Sequence, residues 1–344
     1  MIKPTATKRS VIDIGRKCNI NCLFCYHSHL GDLSKQKFDD FDVICKEIDR
    51  AAERGCNYLD FTGGEPTIYP KMPEVIKYAL NTHNMKSCII TNALCGPNTI
   101  IKLLEAGVDD FLLSIHGTEK THGFLSQYPG ARNIQRKFIR TIREAAPDLR
   151  FRINFTMNKF NQTEIIEMAE QFIQWNPRIV NFINFNPHHG WRDDIDGTKK
   201  IIADLDILEG QLITAINLLE EKGIGVNVRY FPMCKVAKTQ RKNICNDLHV
   251  TFDPYEWDYC IYPKTIEKHL KWGIDGSRHV ELKRYPCSGC NLRFICGGIN
   301  IFFHEASENK ITKPVKDEID DKYNFYHYRQ NNFLALEERT GYDG

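Results

Sequence analysis

The stretch Val11-Ile12-Asp13-Ile14-Gly15-Arg16-Lys17-Cys18-Asn19-Ile20-Asn21-Cys22-Leu23-Phe24-Cys25 begins as a short β-rich run and passes directly into a loop with three cysteines spaced CxxxCxxC. That order sets soft metal ligands at the C-terminal end of a first strand. An amphipathic segment from Asp40 to Arg54 follows and completes one strand-helix unit. The pattern then repeats, with strands predicted at Tyr58 to Thr62, Ser87 to Thr91, Phe111 to Ile115, Phe151 to Met157 and Ile179 to Phe185, each followed by a helix-like segment. Helix starts are marked at Pro97 and Asn98, near Asn161 with Glu164 three residues on, and near Asp204, while Gly55, Gly107 and Gly223 close helices. Alternation of this kind predicts the α/β class, a parallel sheet with outer helices, either an open doubly wound sheet or a barrel. The polar run from Gly117 to Gly130 is long for a connection between strand and helix and is expected as a functional loop of the lid type. After about residue 225 the alternation is expected to give way to a cysteine-bearing region with Pro232, Pro254, Pro263 and Pro286, and the aromatic last thirty residues to a terminal helix.

Composition narrows the function classes. The 344 residues carry 46 Lys plus Arg against 44 Asp plus Glu, a net charge of +2 that argues against general binding of nucleic acid. No run approaches the length of a membrane span, and the opening MIKPTATKRS lacks the apolar core of a signal peptide, so a cytoplasmic protein is expected. In such a chain the 13 cysteines point to metal or redox chemistry rather than to a disulfide framework, and their odd number prevents complete internal pairing.

Three thiols on one loop suit zinc, Cu(I) or an iron-sulfur cluster. A structural zinc wants a fourth ligand, for which His27 and His29 are the local candidates, whereas a cluster with three cysteine ligands leaves one iron open. The second strand ends in Thr62-Gly63-Gly64-Glu65-Pro66. Its glycines let backbone approach a ligand closely, Glu65 offers an acceptor for an ammonium group, and Pro66 fixes the turn. Read alone this is also a plain strand-ending turn, but it falls at the same sheet edge as the cysteines.

With both motifs in place, the sequence resembles the radical S-adenosylmethionine (radical SAM) superfamily over roughly residues 8 to 230. The resemblance implies a partial (β/α)6 TIM-like barrel in which Cys18, Cys22 and Cys25 hold a four-iron, four-sulfur cluster whose open iron chelates SAM. One-electron cleavage of SAM would then give a 5'-deoxyadenosyl radical that abstracts a hydrogen atom from substrate. It further implies SAM contacts from Gly63, Gly64, Glu65, Ser114 and Asn154, with Phe24 near the adenine and Asn92 behind the site. A flavodoxin- or ferredoxin-type electron donor is also implied. His116 and the pair His188-His189 follow strands at the same edge.

Toward the C-terminus, Cys287, Cys290 and Cys296 in CxxC followed by a third cysteine resemble the auxiliary-cluster extensions called SPASM or twitch. Asn300 stands where the full SPASM pattern has another cysteine, so one auxiliary cluster is implied, two clusters in all, with Cys234 after Phe231-Pro232-Met233 as the fourth ligand ahead of Cys245 and Cys260. A four-cysteine zinc knuckle fits the same spacing. If Cys234 is the ligand, Cys245 and Cys260 are left over as candidate hydrogen donors to a substrate radical or as packing, and Cys45, Cys56, Cys88 and Cys95 read as small buried residues. The expected organisation is a core over 1–230, a cysteine-rich smaller extension over 231–312 and a helical tail over 313–344. Peptide modification of the RiPP type (ribosomally made, then modified) is the leading function. Oxidation, epimerisation or rearrangement of a sugar or other small metabolite is the alternative, and a non-catalytic zinc scaffold the alternative of another class. With only a short run before the first strand, no leader-recognition domain is expected there, which weighs against a peptide.

Overall fold

The computed structural model describes residues 9–25, 35–53, 55–187, 191, 194–245, 281–282, 287–294, 296, 298–300, 303 and 314–317. His27, His29, His188, His189, Cys260 and the expected C-terminal helix lie outside them, and of Cys245 only the backbone is described. The chain divides into two compact units, the described residues within Ala6–Asn154 and those within Phe155–Phe252 and Lys268–Gly344.

The first unit runs β1 (Arg9–Asp13), α1 (Phe41–Glu53), β2 (Tyr58–Thr62), α2 (Met72–His83), β3 (Lys86–Thr91), α3 (Pro97–Glu105), β4 (Asp110–Ser114), α4 (Glu119–Ser126), α5 (Ala131–Ala145) and the start of β5 (Arg152–Met157). Neighbouring strands pair in parallel, with Asp13 level with Thr62, Thr91 with Leu113, and Ser114 with Asn154. Their C-terminal ends therefore form one edge, and every residue of the two N-terminal motifs falls there. Helices stop where the sequence says they must: Gly55 and Gly107 take φ values of +80° and +95°, and Asn84 closes α2 at +52°. Helix α5 buries Phe138, Ile139 and Ile142, and Phe138 meets Phe111 of β4 edge-on at 5.3 Å. Each such ring buried contributes about 1.5–3 kcal/mol. The same face of α5 also buries Arg132 and Gln135. Across the strands Arg152 donates from Nε to Asp110 (2.5 Å) and from Nη2 to Asp60 (3.2 Å), so the charge it carries into the interior is paired twice.

The second unit holds the rest of β5, α6 (Ile165–Trp175), β6 (Ile179–Asn184), α7 (Ile195–Ile201), α8 (Leu205–Glu221), β7 (Gly225–Arg229) and β8 (Ile244–Cys245). Asp204 caps α8 by accepting from the amides of Asp206 and Ile207, and Gly223 at φ +69° ends it. Beyond them β9 (Glu281–Leu282) pairs antiparallel with β10 (Ile299–Asn300).

Strands β1 to β8 follow chain order in one sheet, with helices alternating as the sequence predicts. Two expectations are corrected. The run from Gly117 to Gly130 contains helix α4, whose buried face is His122, Gly123, Leu125 and Ser126, a polar pattern with no apolar stripe to announce it. The sheet also continues past residue 225, because β7 pairs with β6 and β8 with β7. What changes there is the connection, which consists of short 3-10 turns at Met233–Lys235 and Lys238–Asn243.

Candidate active site

Beyond the paired ends of β1 and β2 the two chain segments run on together. Ile14 N donates to Thr62 O (3.0 Å), Gly64 N to Gly15 O (2.8 Å) and Glu65 N to Lys17 O (2.9 Å). Main chain alone thus laces the cysteine loop to the Gly-Gly-Glu segment. A Cβ on Gly63 would strike Gly15 O and lie 2.7 Å from Asp13 Oδ1, and one on Gly64 would strike the carbonyl of Lys17. The glycines were expected to make room for a ligand; the structure shows that this chain's own backbone needs that room. Asp13 completes the corner, its Oδ1 accepting from Gly15 N (2.8 Å). Burial, with Asp39 adding and Arg16 opposing, pushes its carboxyl up to about 6.

Glu65, the expected acceptor for an ammonium group, is buried, and both oxygens of its carboxylate accept hydrogen bonds from this chain. Oε1 accepts from Thr67 N (2.9 Å), Thr67 Oγ1 (2.6 Å) and Thr91 Oγ1 (2.6 Å), and Oε2 from Asn92 N (2.7 Å). Burial raises its pKa and these four bonds lower it. A buried carboxylate so supplied with donors fixes the ends of β2 and β3 against each other.

Asn92 is where the pieces meet. Its Nδ2 donates to Asn19 Oδ1 (2.7 Å) and stands 3.9 Å from Cys18 Sγ, while Asn19 Nδ2 donates to Leu94 O (3.1 Å). The far side of the cysteine loop is held by Leu23 N donating to Leu125 O of α4 (2.9 Å). Phe24 sets its ring edge-on to His116 at 4.9 Å, and His116 stacks on His122 at 5.7 Å. Burial lowers both imidazoles, His116 to about 3, so they are neutral. Ser114 and Asn154, half-buried, lie level on adjacent strand ends. Sequence reading missed His122, Arg132 and Gln135. The available signal was the phase of Arg132 and Gln135 on α5, which matches that of Phe138 and Ile142.

The three loop thiols are half-buried and none of the described cysteines forms a disulfide. Burial, together with the charges of one another and of Glu65, pushes Cys18 up to about 11 and Cys22 further. Thiolates there need a cation, and three sulfurs on one laced loop suit an iron-sulfur cluster with an open iron. Among the described residues no three His, Cys, Asp or Glu side chains converge closely enough for a single metal ion.

In the second unit Cys234 sits in the 3-10 turn after β7, and Cys287, Cys290 and Cys296 lie in and beside two further 3-10 turns. There Val315 N donates to Cys290 Sγ (3.3 Å) and Gly298 N to Cys296 Sγ (3.4 Å). Cys45, Cys56 and Cys88 are buried and Cys95 half-buried.

Residues 12–172 match the family model of the Radical SAM superfamily. A 7,8-dihydro-6-hydroxymethylpterin dimethyltransferase of Methanocaldococcus jannaschii is 24% identical over 234 residues, 66% of this chain and 44% of the relative. A PqqA peptide cyclase of Bradyrhizobium diazoefficiens is 23% identical over 184 residues, 53% of this chain and 47% of the relative. The chain thus spans about half the length of these curated relatives. Among solved structures, Streptococcus suis SuiB bound to S-adenosylmethionine gives a TM-score of 0.57 at 17% identity, covering 91% of this chain and 77% of that one. SuiB bound to its precursor peptide SuiA gives 0.53 at 20% identity, covering 66% and 49%. The shared feature is the fold, parallel strands with alternating helices.

Proposed function

We propose, from the premise that this chain belongs through residues 12–172 to the radical SAM superfamily, that it cleaves SAM reductively and uses the product to modify a peptide. The observation that carries the reading is the lacing of the cysteine loop to Gly64 and Glu65 at the C-terminal edge of the sheet. When bound, the cluster and SAM supply one-electron chemistry that ends in hydrogen-atom abstraction from the substrate. Cys18, Cys22 and Cys25 hold the cluster. Gly63 and Gly64 keep the backbone beside it close, and Glu65 acts on SAM through the segment it fixes. Phe24, Ser114 and Asn154 line the SAM side of the edge. Cys234, Cys287, Cys290 and Cys296 hold an auxiliary four-iron, four-sulfur cluster with every position filled by thiolate, suited to electron transfer or to stabilising its turns. Cys245 or Cys260 would return a hydrogen atom if the net change is an epimerisation. A flavodoxin or ferredoxin supplies the electron.

The peptide reading draws support from the fold shared with SuiB, solved with a precursor peptide, and from the similarity to a PqqA peptide cyclase. The second reading, a small metabolite, draws on the similarity to a pterin dimethyltransferase. Anaerobically reconstituted protein with SAM and dithionite tests both. A deuterated peptide that passes deuterium to 5'-deoxyadenosine supports the first, and transfer only from deuterated pterin or sugar substrates replaces it with the second.

A further inference from the structure

Behind the cysteine loop lies a buried polar knot that the chemistry above does not use. Arg132, Gln135, His122 and His116 are all buried, although the rest of the buried face of α5 is apolar: Ala131, Phe138, Ile139 and Ile142. Gln135 Nε2 donates to two carbonyls at once, Asn92 O just beyond β3 (2.9 Å) and Ser114 O at the end of β4 (3.0 Å). Those two bonds account for both of its N–H groups, and the same nitrogen stands 3.2 Å from His122 Nε2. Its Oε1 in turn accepts from Arg132 Nη1 (3.1 Å). Next to it, His122 Nδ1 accepts from His116 N (3.0 Å), and the His116 ring is the one Phe24 abuts.

The strand ends that Gln135 joins are not arbitrary. Asn92 is the residue whose amide serves Glu65 and whose side chain serves Asn19 of the cysteine loop. Ser114 carries the strand end facing Asn154. One amide on α5 thereby sets the spacing between the anchor of the cysteine loop and the proposed SAM edge.

The geometry points to Gln135 as a positioning residue for the SAM-binding cluster, acting through Asn92 and Ser114. This rests on the radical SAM reading above. A buried glutamine that only filled space would be replaceable by methionine, of similar volume, with little more than a loss of stability. A positioning glutamine would not, because two carbonyls lose their donor and the strand ends move.

The test compares Gln135→Met with Ile139→Ala, a buried change one turn along α5 that opens a cavity without touching either carbonyl. In both holoproteins one measures thermal stability, iron and sulfide, the electron paramagnetic resonance (EPR) signal of the reduced cluster as SAM is titrated, and amide hydrogen exchange across residues 15–25 and 92–94. Gln135→Met is expected to weaken SAM binding about 10-fold, corresponding to about 1.4 kcal/mol, with an altered SAM-induced EPR change and faster exchange in those segments. Ile139→Ala is expected to lose stability alone. If Gln135→Met does not fold, Gln135→Glu, which keeps the shape and removes the donors, takes its place. SAM affinity and exchange in the Gln135 variant no different from those of Ile139→Ala would overturn the assignment. A wild-type cluster that does not respond to SAM would instead overturn the radical SAM reading, and the two failures are told apart by the wild-type titration.

Discussion

The two thiol-bearing regions are held by different means. Cys18, Cys22 and Cys25 stand on a loop laced by backbone to the end of a neighbouring strand, with a buried carboxylate and Asn92 behind it. Cys287, Cys290 and Cys296 stand in and beside tight turns where main-chain N–H groups reach sulfur and Asn291 clips the turn to the carbonyls of Lys316 and Asp317 (both 3.0 Å). The first site inherits its shape from the sheet; the second takes its shape from tight turns clipped to Val315, Lys316 and Asp317. A site shaped by close backbone packing tolerates no added atom, whereas one shaped by turns at an exposed surface does.

The largest consequence is at Gly64. A Cβ there meets the carbonyl of Lys17, backbone that cannot yield without parting the two strand ends, so Gly64→Ala should abolish cluster loading at the first site. Iron analysis after reconstitution reads this directly, and full loading would break the contrast. Glu65→Ala comes next. Removing a buried carboxylate leaves the donors of Thr67, Thr91 and Asn92 unpaired and should cost about 3 kcal/mol by denaturant unfolding. Both cluster content and SAM affinity are expected to fall; loss of SAM affinity alone would point to a direct contact from the carboxylate.

Asp13 sharpens the comparison through pH. Its carboxyl stands at about 6 in the folded protein against an ordinary 3.8, so the native state holds this proton more tightly. Its favourable contribution is full below the ordinary value and is lost as pH rises through about 6. Wild type should therefore gain about 1 kcal/mol from this group between pH 7 and pH 5, and Asp13→Asn should lose that slope. Identical slopes for the two proteins in urea titrations would show that the corner does not bury the charge. The smallest effect belongs to the second region. A Cβ on Gly289 meets only Lys316 Nζ at 3.2 Å, the end of a flexible side chain, so Gly289→Ala should shift stability by less than about 0.5 kcal/mol and keep its iron.

Much of this was legible in the sequence. Tyr58–Thr62 agrees with the predicted strand to the residue, because strands covered on both faces read as short apolar runs and the glycines after each helix mark its end. The edge carrying the cysteines and Gly-Gly-Glu followed from that alternation. Helix α4 was hidden since its buried positions include His122 and Ser126, which give no apolar period. The role of Glu65 was hidden for another reason: Thr91 and Asn92 are 26 and 27 residues away, and hydrogen-bond partners across space leave no local pattern. Gln135 was missed likewise, its two acceptors lying 43 and 21 residues back along the chain.

The central claim is that the first thiol set alone binds the SAM-responsive cluster. Changing Cys18, Cys22 and Cys25 together to Ala and comparing iron, sulfide and EPR with and without SAM tests it most directly. The account predicts that iron and sulfide fall from about eight to about four per chain, that no signal responds to SAM, and that no 5'-deoxyadenosine forms under dithionite while the C-terminal cluster remains. A SAM-responsive signal with undiminished 5'-deoxyadenosine from the triple variant would contradict it.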